Sequence, residues 1–436
     1  MSVETGLYGI AILAVLLLLR VPVALALIAV SFGGIAVLLG FRPAIGIITS
    51  TPYSFVASWT MSAVPMFLLM GFVSFHAGLT ANLFIAAKAV LRGVPGGLAI
   101  SSIFACTGFA AVSGSSIACA AAMGRIAIPE MVAAGYRPSF AAGALAAGGT
   151  IGALIPPSIL MIVYGVFAET SITQIFVGGI GIGLMTAVSY CVIVLVLCWL
   201  RPDIVPRRLA EDEAQGSRLS AILRIWPILI LVALVFGGLF SGYFTATEAG
   251  AVGAGGAVLL SAITGNLSRR VIKISLLETL STCASLFIIG IGASMFTRFL
   301  GITGLSGFIG SFVAGADLGY AQLMTIIVII YLALGMFMEP FGAMLVTLPV
   351  LLPVLKSQDI SLVWFGVLVV KLLEIGMITP PVGLNVFVIK NVASRYVSVV
   401  DVFKGVTPFI LADLVVVVAT IAFPALVLAL PLWLSQ

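Results

Sequence analysis

The chain is a succession of long apolar stretches separated by short polar ones. Ten of these stretches are predicted to cross a membrane as helices, because a bilayer core of about 30 Å needs roughly 20 apolar residues per crossing. Their predicted bounds are 5–20, 22–40, 62–90, 138–168, 175–200, 225–241, 245–264, 282–300, 361–391 and 407–432. The first stretch has no basic leader before it, which favours a retained helix over a cleaved signal. The pattern predicts an all-α polytopic membrane protein.

Two further apolar segments, 97–128 and 320–353, have polar, glycine-rich centres at 112–116 and 338–342. Each leg of about 15 residues reaches only about 22 Å as a helix, which is too short to cross. Non-helical backbone at membrane depth is tolerated only inside protein or along a wet cavity. The segments are therefore predicted to be two re-entrant hairpins whose tips are buried or functional.

Two predicted crossings carry consecutive prolines in their interior. Pro156-Pro157 lies within 138–168, and Pro380-Pro381 lies within 361–391. Proline removes a backbone donor and clashes with the preceding turn, so a proline pair interrupts a helix. Both crossings are predicted to be broken helices.

The hairpins and broken helices recur as one unit. A shift of 224 residues places Pro156-Pro157 on Pro380-Pro381, Gly152 on Gly376 and Pro129 on Pro353. The predicted domains are a first repeat at 1–200, a cytoplasmic linker at 201–224 and a second repeat at 225–436. Five crossings in the first half are an odd number, so the second half enters the membrane from the opposite side. The repeat is predicted to be inverted.

Composition and charge agree with this organisation. Hydrophobic residues make up 62% of the chain and charged residues 8%, at a mean hydropathy of +1.31, which excludes a soluble globular protein. With the N-terminus outside, the cytoplasmic side holds all of the 20 Lys and Arg residues except Arg42, Arg298, Lys356 and Lys371. The first hairpin then opens from the cytoplasm and the second from outside. The net charge of +5 follows from topology and indicates no nucleic-acid partner; the partner is the lipid bilayer.

Each break is predicted to form a binding site together with the hairpin tip beside it. A broken helix turns bare N–H groups toward an anion, while its freed carbonyls hold a small cation. Serine and threonine hydroxyls add uncharged oxygen ligands for a hard cation. The predicted binding residues are Ser113, Gly114, Ser115, Ser116, Thr150, Gly152, Ile155 and Pro156 in the first half, and Glu339, Pro340, Gly376, Ile378, Thr379 and Pro380 in the second.

Charged residues within the membrane are costly and therefore mark candidate functional groups. Glu339 is either a coupling carboxylate or a buried acid held by the N–H groups of its tip. Lys371 and Glu374, three residues apart, are interpreted as a structural pair. Arg298 either contacts a substrate carboxylate as a fork donor or lies at a membrane interface. His76, the one histidine, is interpreted as structural.

Other charged positions have simpler interpretations. Arg125 is expected to reach the cytoplasmic interface from the end of the first hairpin. Glu248, next to threonines, is expected to cap a helix, and no role is assigned to Asp413. The segments 43–60 and 266–281 are predicted to be amphipathic arms at the membrane surface.

The motifs that carry these features resemble those of one family, the large membrane (M) subunit of tripartite ATP-independent periplasmic (TRAP) transporters. They are VSGSSIA at 112–118, GGTIGALIPPS at 148–158, TATEAGAVGA at 245–254, MEPFGAM at 338–344 and GMITPPVGLNVFV at 376–388. The resemblance implies a bacterial inner-membrane elevator carrier coupled to Na⁺, without any other cofactor. Its substrate would be an organic acid such as a C4-dicarboxylate or sialic acid.

The resemblance also implies two partners and a division of labour within the chain. The partners are a periplasmic substrate-binding protein and a separate four-helix membrane subunit of the Q type. Hairpins and broken helices would form the moving transport domain, and the remaining helices the scaffold.

Three other functions are weighed against this one. A serine hydrolase needs a base beside Ser115 or Ser116, and the one histidine lies outside both repeat cores. A channel would need a polar path, but the sequence shows no ring of acids or carbonyl-filter motif, and an inverted repeat with paired hairpins favours alternating access. The remaining alternative is a self-sufficient sodium/dicarboxylate symporter of related fold, but those relatives have Ser-Asn-Thr at their hairpins, where this chain has Ser-Gly-Ser-Ser and Met-Glu-Pro-Phe.

Overall fold

A computed structural model describes residues 3–206, 218–315 and 319–434. These residues form helices and connecting turns, and no strand occurs among them. Eight of the described helices are long and apolar enough to cross a membrane. The predicted all-α membrane architecture is therefore confirmed.

Ten helices lie before the predicted linker, most of which, at 207–217, lies outside the described residues. They are α1 (Val3–Leu18), α2 (Val23–Leu39), α3 (Phe41–Val56), α4 (Ala63–His76), α5 (Asn82–Val90), α6 (Gly97–Ser113), α7 (Ser116–Ala133), α8 (Pro138–Thr150), α9 (Ile159–Phe167) and α10 (Ile172–Leu200).

Eleven helices follow among the described residues. They are α11 (Arg218–Leu223), α12 (Trp226–Phe240), α13 (Ala246–Ile263), α14 (Arg269–Thr303), α15 (Leu305–Gly315), α16 (Tyr320–Phe337), α17 (Pro340–Ser357), α18 (Leu362–Gly376), α19 (Leu384–Val392), α20 (Val399–Ala422) and α21 (Ala425–Leu434).

Three stretches differ from their predicted form. The predicted crossing 62–90 is divided into α4 and α5 near Gly78, whose positive φ of 71° ends the helical path. The predicted arm 266–281 and crossing 282–300 form the single helix α14, since no glycine or proline interrupts it before Gly290. The last predicted crossing is divided before Pro424, because proline disfavours helical geometry in the preceding residue.

The local sequence explains several helix starts. Ser115 immediately precedes α7, and its side chain accepts a hydrogen bond from the N–H of Ala118. Thr245 and Glu248 form a reciprocal capping box at the start of α13. The predicted capping role of Glu248 is thus confirmed. The capping box explains the threonine and the glutamate in the motif at 245–254.

Two short connections lie where the hairpin tips are predicted. Gly114 and Ser115 connect α6 to α7, and Met338 and Glu339 connect α16 to α17. Both proline pairs lie in the non-helical segments that separate α8 from α9 and α18 from α19. Each half therefore contains a helix pair followed by an interrupted helix, in the same order along the chain.

The interrupted helices lie at the centre of the protein. Every residue of α8 from Phe140 to Thr150 is buried, as is every residue of α18 from Trp364 to Gly376. Helix α8 packs closely on α20, where Gly143 faces the backbone of Gly405. Only glycine, which has no Cβ atom, fits at such a crossing. The glycine pair therefore sets the distance between α8 and α20.

Candidate functional site

A cavity of about 750 Å³ brings the two predicted hairpin tips together. This volume is in the usual range for a small-molecule site. The residues that the tips contribute to its lining are Ser113, Gly114, Ser115, Ser116, Glu339 and Pro340. Tips from the two halves of the chain therefore share one cavity.

Helices α2, α4 and α14 form the facing wall. This wall includes Gly71, Phe72 and Phe75 of α4, and Glu278, Ser281, Thr282 and Ser285 of α14. The hydroxyl groups and the carboxylate of α14 give an otherwise apolar wall a polar strip. The sequence predicted α14 to be partly a surface arm and so did not identify this strip.

The first tip is held by close backbone contacts with the first break. Gly114 has a positive φ of 63°, and a Cβ atom there would collide with the carbonyl oxygen of Pro157. A Cβ atom at Gly152 would lie 2.8 Å from the carbonyl oxygen of Ser115. Glycine is thus required on both sides of this contact.

The second half also has a close backbone contact at its break, made with a helix and not with the tip. A Cβ atom at Gly376 would lie 2.5 Å from the Cα of Gly335, which lies on α16 shortly before the second tip. Glu339 immediately precedes α17, and its carboxylate accepts a hydrogen bond of 3.2 Å from the N–H of Gly342. The charge of Glu339 at this helix N-terminus is favoured by the helix dipole.

Glu374 connects the second broken helix to the first tip. It is fully buried and lines the cavity, and its Oε1 accepts a hydrogen bond of 3.1 Å from the Ser116 hydroxyl. Its Oε2 and the Ser113 hydroxyl have no hydrogen-bond partner within the described part of the chain. Unpaired buried oxygens are uncommon in native proteins and often mark an absent ion or water.

The predicted pairing of Lys371 with Glu374 is wrong. The Lys371 ammonium forms an ion pair with Asp413 of α20 and donates a hydrogen bond to Thr186 of α10. Lys371 and Glu374 are close in sequence, but the long Lys371 side chain pairs with a carboxylate on a neighbouring helix.

The predicted residues at the breaks lie behind the cavity lining. In the first break, Thr150, Gly152, Ile155 and Pro156 are buried, and the Thr150 hydroxyl donates to the carbonyl of Ala147.

In the second break, Gly376 and Ile378 are buried and Thr379 is partly buried, whereas Pro380 is exposed. Asn385, at the start of α19, is fully buried, and its side-chain amide has no partner among the described residues. The two breaks therefore differ in exposure, and Asn385, which lies in the motif at 376–388, is a buried polar group outside the predicted set of binding residues.

Arg125 is the only Lys or Arg that lines the cavity within the described ranges. It lies on α7 and is exposed. Arg298, the predicted carboxylate contact, is exposed on α14 and is not part of this lining. The sequence predicted that Arg125 lies at the end of the first hairpin, but not that it lines the cavity.

His76 borders this region through Glu278. Its Nε2 lies 2.9 Å from the Glu278 Oε2, a pair that joins α4 to α14. The serines of the first tip have a different partner, Glu374, and the described contacts place no histidine at Ser115 or Ser116. A serine nucleophile with a histidine base is therefore not assembled there.

Comparison with known proteins gives a single picture. The family model described as "Tripartite ATP-independent periplasmic transporter, DctM component" matches residues 10–426. The C4-dicarboxylate TRAP transporter large permease protein DctM of Pseudomonas aeruginosa is 34% identical over 383 residues, which cover 87% of each protein.

Two further proteins extend the comparison. The isethionate TRAP transporter permease protein DctMQ of Oleidesulfovibrio alaskensis is 32% identical over 95% of this chain and 64% of its own length. The crystal structure of the YdaH transporter of Alcanivorax borkumensis has a TM-score of 0.65 at 15% identity, covering 91% of this chain and 89% of that one. The similarity to the YdaH transporter concerns the fold alone.

Proposed function

The chain belongs to the DctM component family of TRAP transporters, and from this we propose that it carries an organic acid into the cell together with Na⁺. It is a transporter permease and a multi-pass protein of the bacterial inner membrane. In the proposed cycle, the two helix pairs and the two broken helices move as one body past a scaffold that includes α2, α4 and α14. Cavity access then alternates between the two sides of the membrane.

The observation that carries this proposal is the shared cavity. Ser113 to Ser116 come from the first half, and Glu339 and Pro340 from the second, yet all line one volume. Alternating access needs a site at the interface of two repeats. The unequal exposure of the two breaks supports it further, because an inverted repeat caught in one state of such a cycle has unlike halves.

The unpaired oxygens near the first tip support a cation site. The Ser113 hydroxyl and the Glu374 Oε2 are buried and without partners among the described residues. One carboxylate oxygen, one hydroxyl and backbone carbonyls make an oxygen-only ligand set of the kind that hard cations prefer. We propose that Na⁺ binds here and in a second site at Glu339 and the second break.

One basic group in the cavity lining, beside the carboxyl groups of Glu278, Glu339 and Glu374, supports an organic anion as substrate. Arg125 offers a guanidinium that can form paired hydrogen bonds to a carboxylate or sulfonate. The relatives named above include a C4-dicarboxylate and an isethionate transporter, whose named substrates are both anions. We propose Arg125, in place of Arg298, as the basic group that faces the substrate.

Family membership also supports two partners. Members of this family work with a small membrane subunit and a periplasmic binding protein. We propose that both act with this chain, the binding protein by delivering the acid to the outer mouth of the cavity.

Uptake into proteoliposomes tests the proposed function. The chain and its small subunit are reconstituted and given labelled C4-dicarboxylates, isethionate or sialic acid, with and without the binding protein, under an inward Na⁺ gradient. We expect uptake that needs both Na⁺ and the binding protein. Uptake with Na⁺ alone would favour the self-sufficient symporter, and uptake without Na⁺ would reject sodium coupling.

Substituting the two arginines tests the substrate contact. Arg125→Gln is expected to raise the KM for the transported acid about fivefold, a modest effect because the side chain is exposed to solvent. Arg298→Gln is the matched control, with the same chemical change on an exposed residue outside the cavity lining. Equal KM values for the Arg125 variant and the wild type would remove Arg125 from the proposal.

A further inference from the structure

A buried chain of polar side chains links the two broken helices behind the cavity. It is built on the ion pair between Lys371 and Asp413, whose side chains are 1% and 0% exposed. The two other ion pairs found in the described ranges have side chains between 21% and 45% exposed. Lys371 and Asp413 thus form the one described pair that is withdrawn from solvent.

Hydrogen bonds extend this pair to the first half of the chain. Lys371 also donates to the Thr186 hydroxyl at 3.0 Å, and the Tyr190 hydroxyl lies 2.9 and 2.8 Å from the two carboxylate oxygens of Asp413. The Tyr190 oxygen in turn lies 3.2 Å from the Thr150 hydroxyl. Tyr190 donates its one proton to the carboxylate and Thr150 donates its one proton to the carbonyl of Ala147, so this last contact is a close approach of two hydroxyl oxygens.

The two ends of this chain of contacts reach the proposed binding sites. Thr150 lies two residues before Gly152, which contacts the first tip. Lys371 lies one helical turn before Glu374, which accepts the hydrogen bond from Ser116. Contacts between buried side chains therefore connect the segments that precede the two breaks.

A gain in folding stability does not explain why such a buried ion pair is present. Replacing a buried ion pair by apolar residues of similar volume is often neutral or stabilising, because removing two charges from water is so costly. Directional contacts, in contrast, define one relative position of the helices that carry them. The pair and the tyrosine join α8, α10, α18 and α20 in this way.

We propose that Lys371, Asp413 and Tyr190 are positioning residues that hold the two helix breaks in a fixed relation, so that Na⁺ binding at one break raises the affinity of the other. The inference rests on the proposed function, since it requires a cation site at each break. Coupling of this kind is reciprocal between the two sites.

Tyr190→Phe is the sharpest test, because it removes the hydrogen bond to Asp413 and the contact with Thr150 but leaves the Lys371–Asp413 pair in place. The full chain, purified with its small subunit, is unfolded thermally at increasing NaCl, with choline chloride holding the ionic strength constant. Ligand binding to the folded state raises the Tm. For two coupled sites we expect a Hill coefficient of about 2 in the wild type and about 1 in the variant.

Tyr164→Phe is the matched control. The Tyr164 hydroxyl donates to the carbonyl of Leu362 at 2.8 Å and lies outside the chain of contacts, so this variant should keep the wild-type steepness. Lys371→Met with Asp413→Leu removes both charges together and should also reduce the Hill coefficient to about 1. A purely structural role would shift the Tm of these variants at every Na⁺ concentration and leave the steepness unchanged.

Two results would overturn the inference. One is a Hill coefficient of about 2 in both Tyr190→Phe and the double variant. The other is a Hill coefficient of about 1 in the wild type itself. Failure of the proposed function would be a different result, because wild-type uptake would then not depend on the Na⁺ gradient.

Discussion

Replacing Gly376 by alanine is expected to lower substrate uptake by at least about 100-fold, since a shift of about 1 Å at a binding site has effects of this size. The added Cβ atom would lie 2.5 Å from both the Cα and the carbonyl carbon of Gly335. Backbone on both sides cannot yield as a flexible side chain does, so α16 and α18 must separate. The second tip, which follows α16, would then leave its place in the cavity.

Gly152→Ala is expected to have the same effect on the first tip. Its Cβ atom would lie 2.8 Å from the carbonyl oxygen of Ser115 and 3.0 Å from the Cα of Ser116. Overpacking of this kind costs about 1–3 kcal/mol, which leaves a large membrane protein folded. Uptake is measured in proteoliposomes, and membrane insertion by the yield of detergent-extracted monodisperse protein.

Gly255→Ala controls for the loss of glycine itself. Gly255 is exposed on α13, and an added Cβ atom would meet no other atom within 4 Å. Its uptake should stay within about twofold of the wild type, as for most surface substitutions. If Gly376→Ala and Gly152→Ala also transported at that level, the close contact between break and hairpin would have no part in transport.

These two glycines also show which features of the site follow from sequence. Proline pairs and glycines act on the backbone of their own segment, so their effect is nearly independent of the rest of the fold. A shift of 224 residues aligns Gly152 with Gly376, and the structure gives each a close backbone contact with the helix pair of its own half. Position along the chain was enough to place them.

The partners of the buried charged side chains, in contrast, did not follow from sequence spacing. Lys371 and Glu374 satisfy the spacing of a helical pair, yet Lys371 binds Asp413, 42 residues away, and Glu374 binds Ser116, 258 residues away. Helix spacing predicts only local neighbours, and a buried charge takes whichever partner the packing of other helices brings near. The wall contributed by α14 was missed for the same reason, because its polar residues acquire a role only opposite the tips.

Glu374→Gln is expected to raise the Na⁺ concentration for half-maximal uptake by about 10- to 100-fold, as for the loss of a buried interaction with a charged group. Glutamine preserves the volume and the oxygen that accepts the Ser116 hydrogen bond, so the first tip should stay in place. What is lost is the carboxylate group that would carry a negative charge opposite bound Na⁺, in a cavity that Arg125 alone among its described lining residues supplies with positive charge.

Glu278→Gln separates a cation-binding role from a general effect of charge in the cavity. Glu278 lines the same cavity, but it lies on the facing wall, is partly exposed and already has His76 as its partner. Because Na⁺ is proposed to bind at the tips, this variant should keep the wild-type Na⁺ dependence. If both variants weakened Na⁺ activation equally, the carboxylates would act only through the overall field of the cavity. An unchanged Na⁺ dependence in Glu374→Gln would remove Glu374 from the cation site and leave it as an anchor for Ser116.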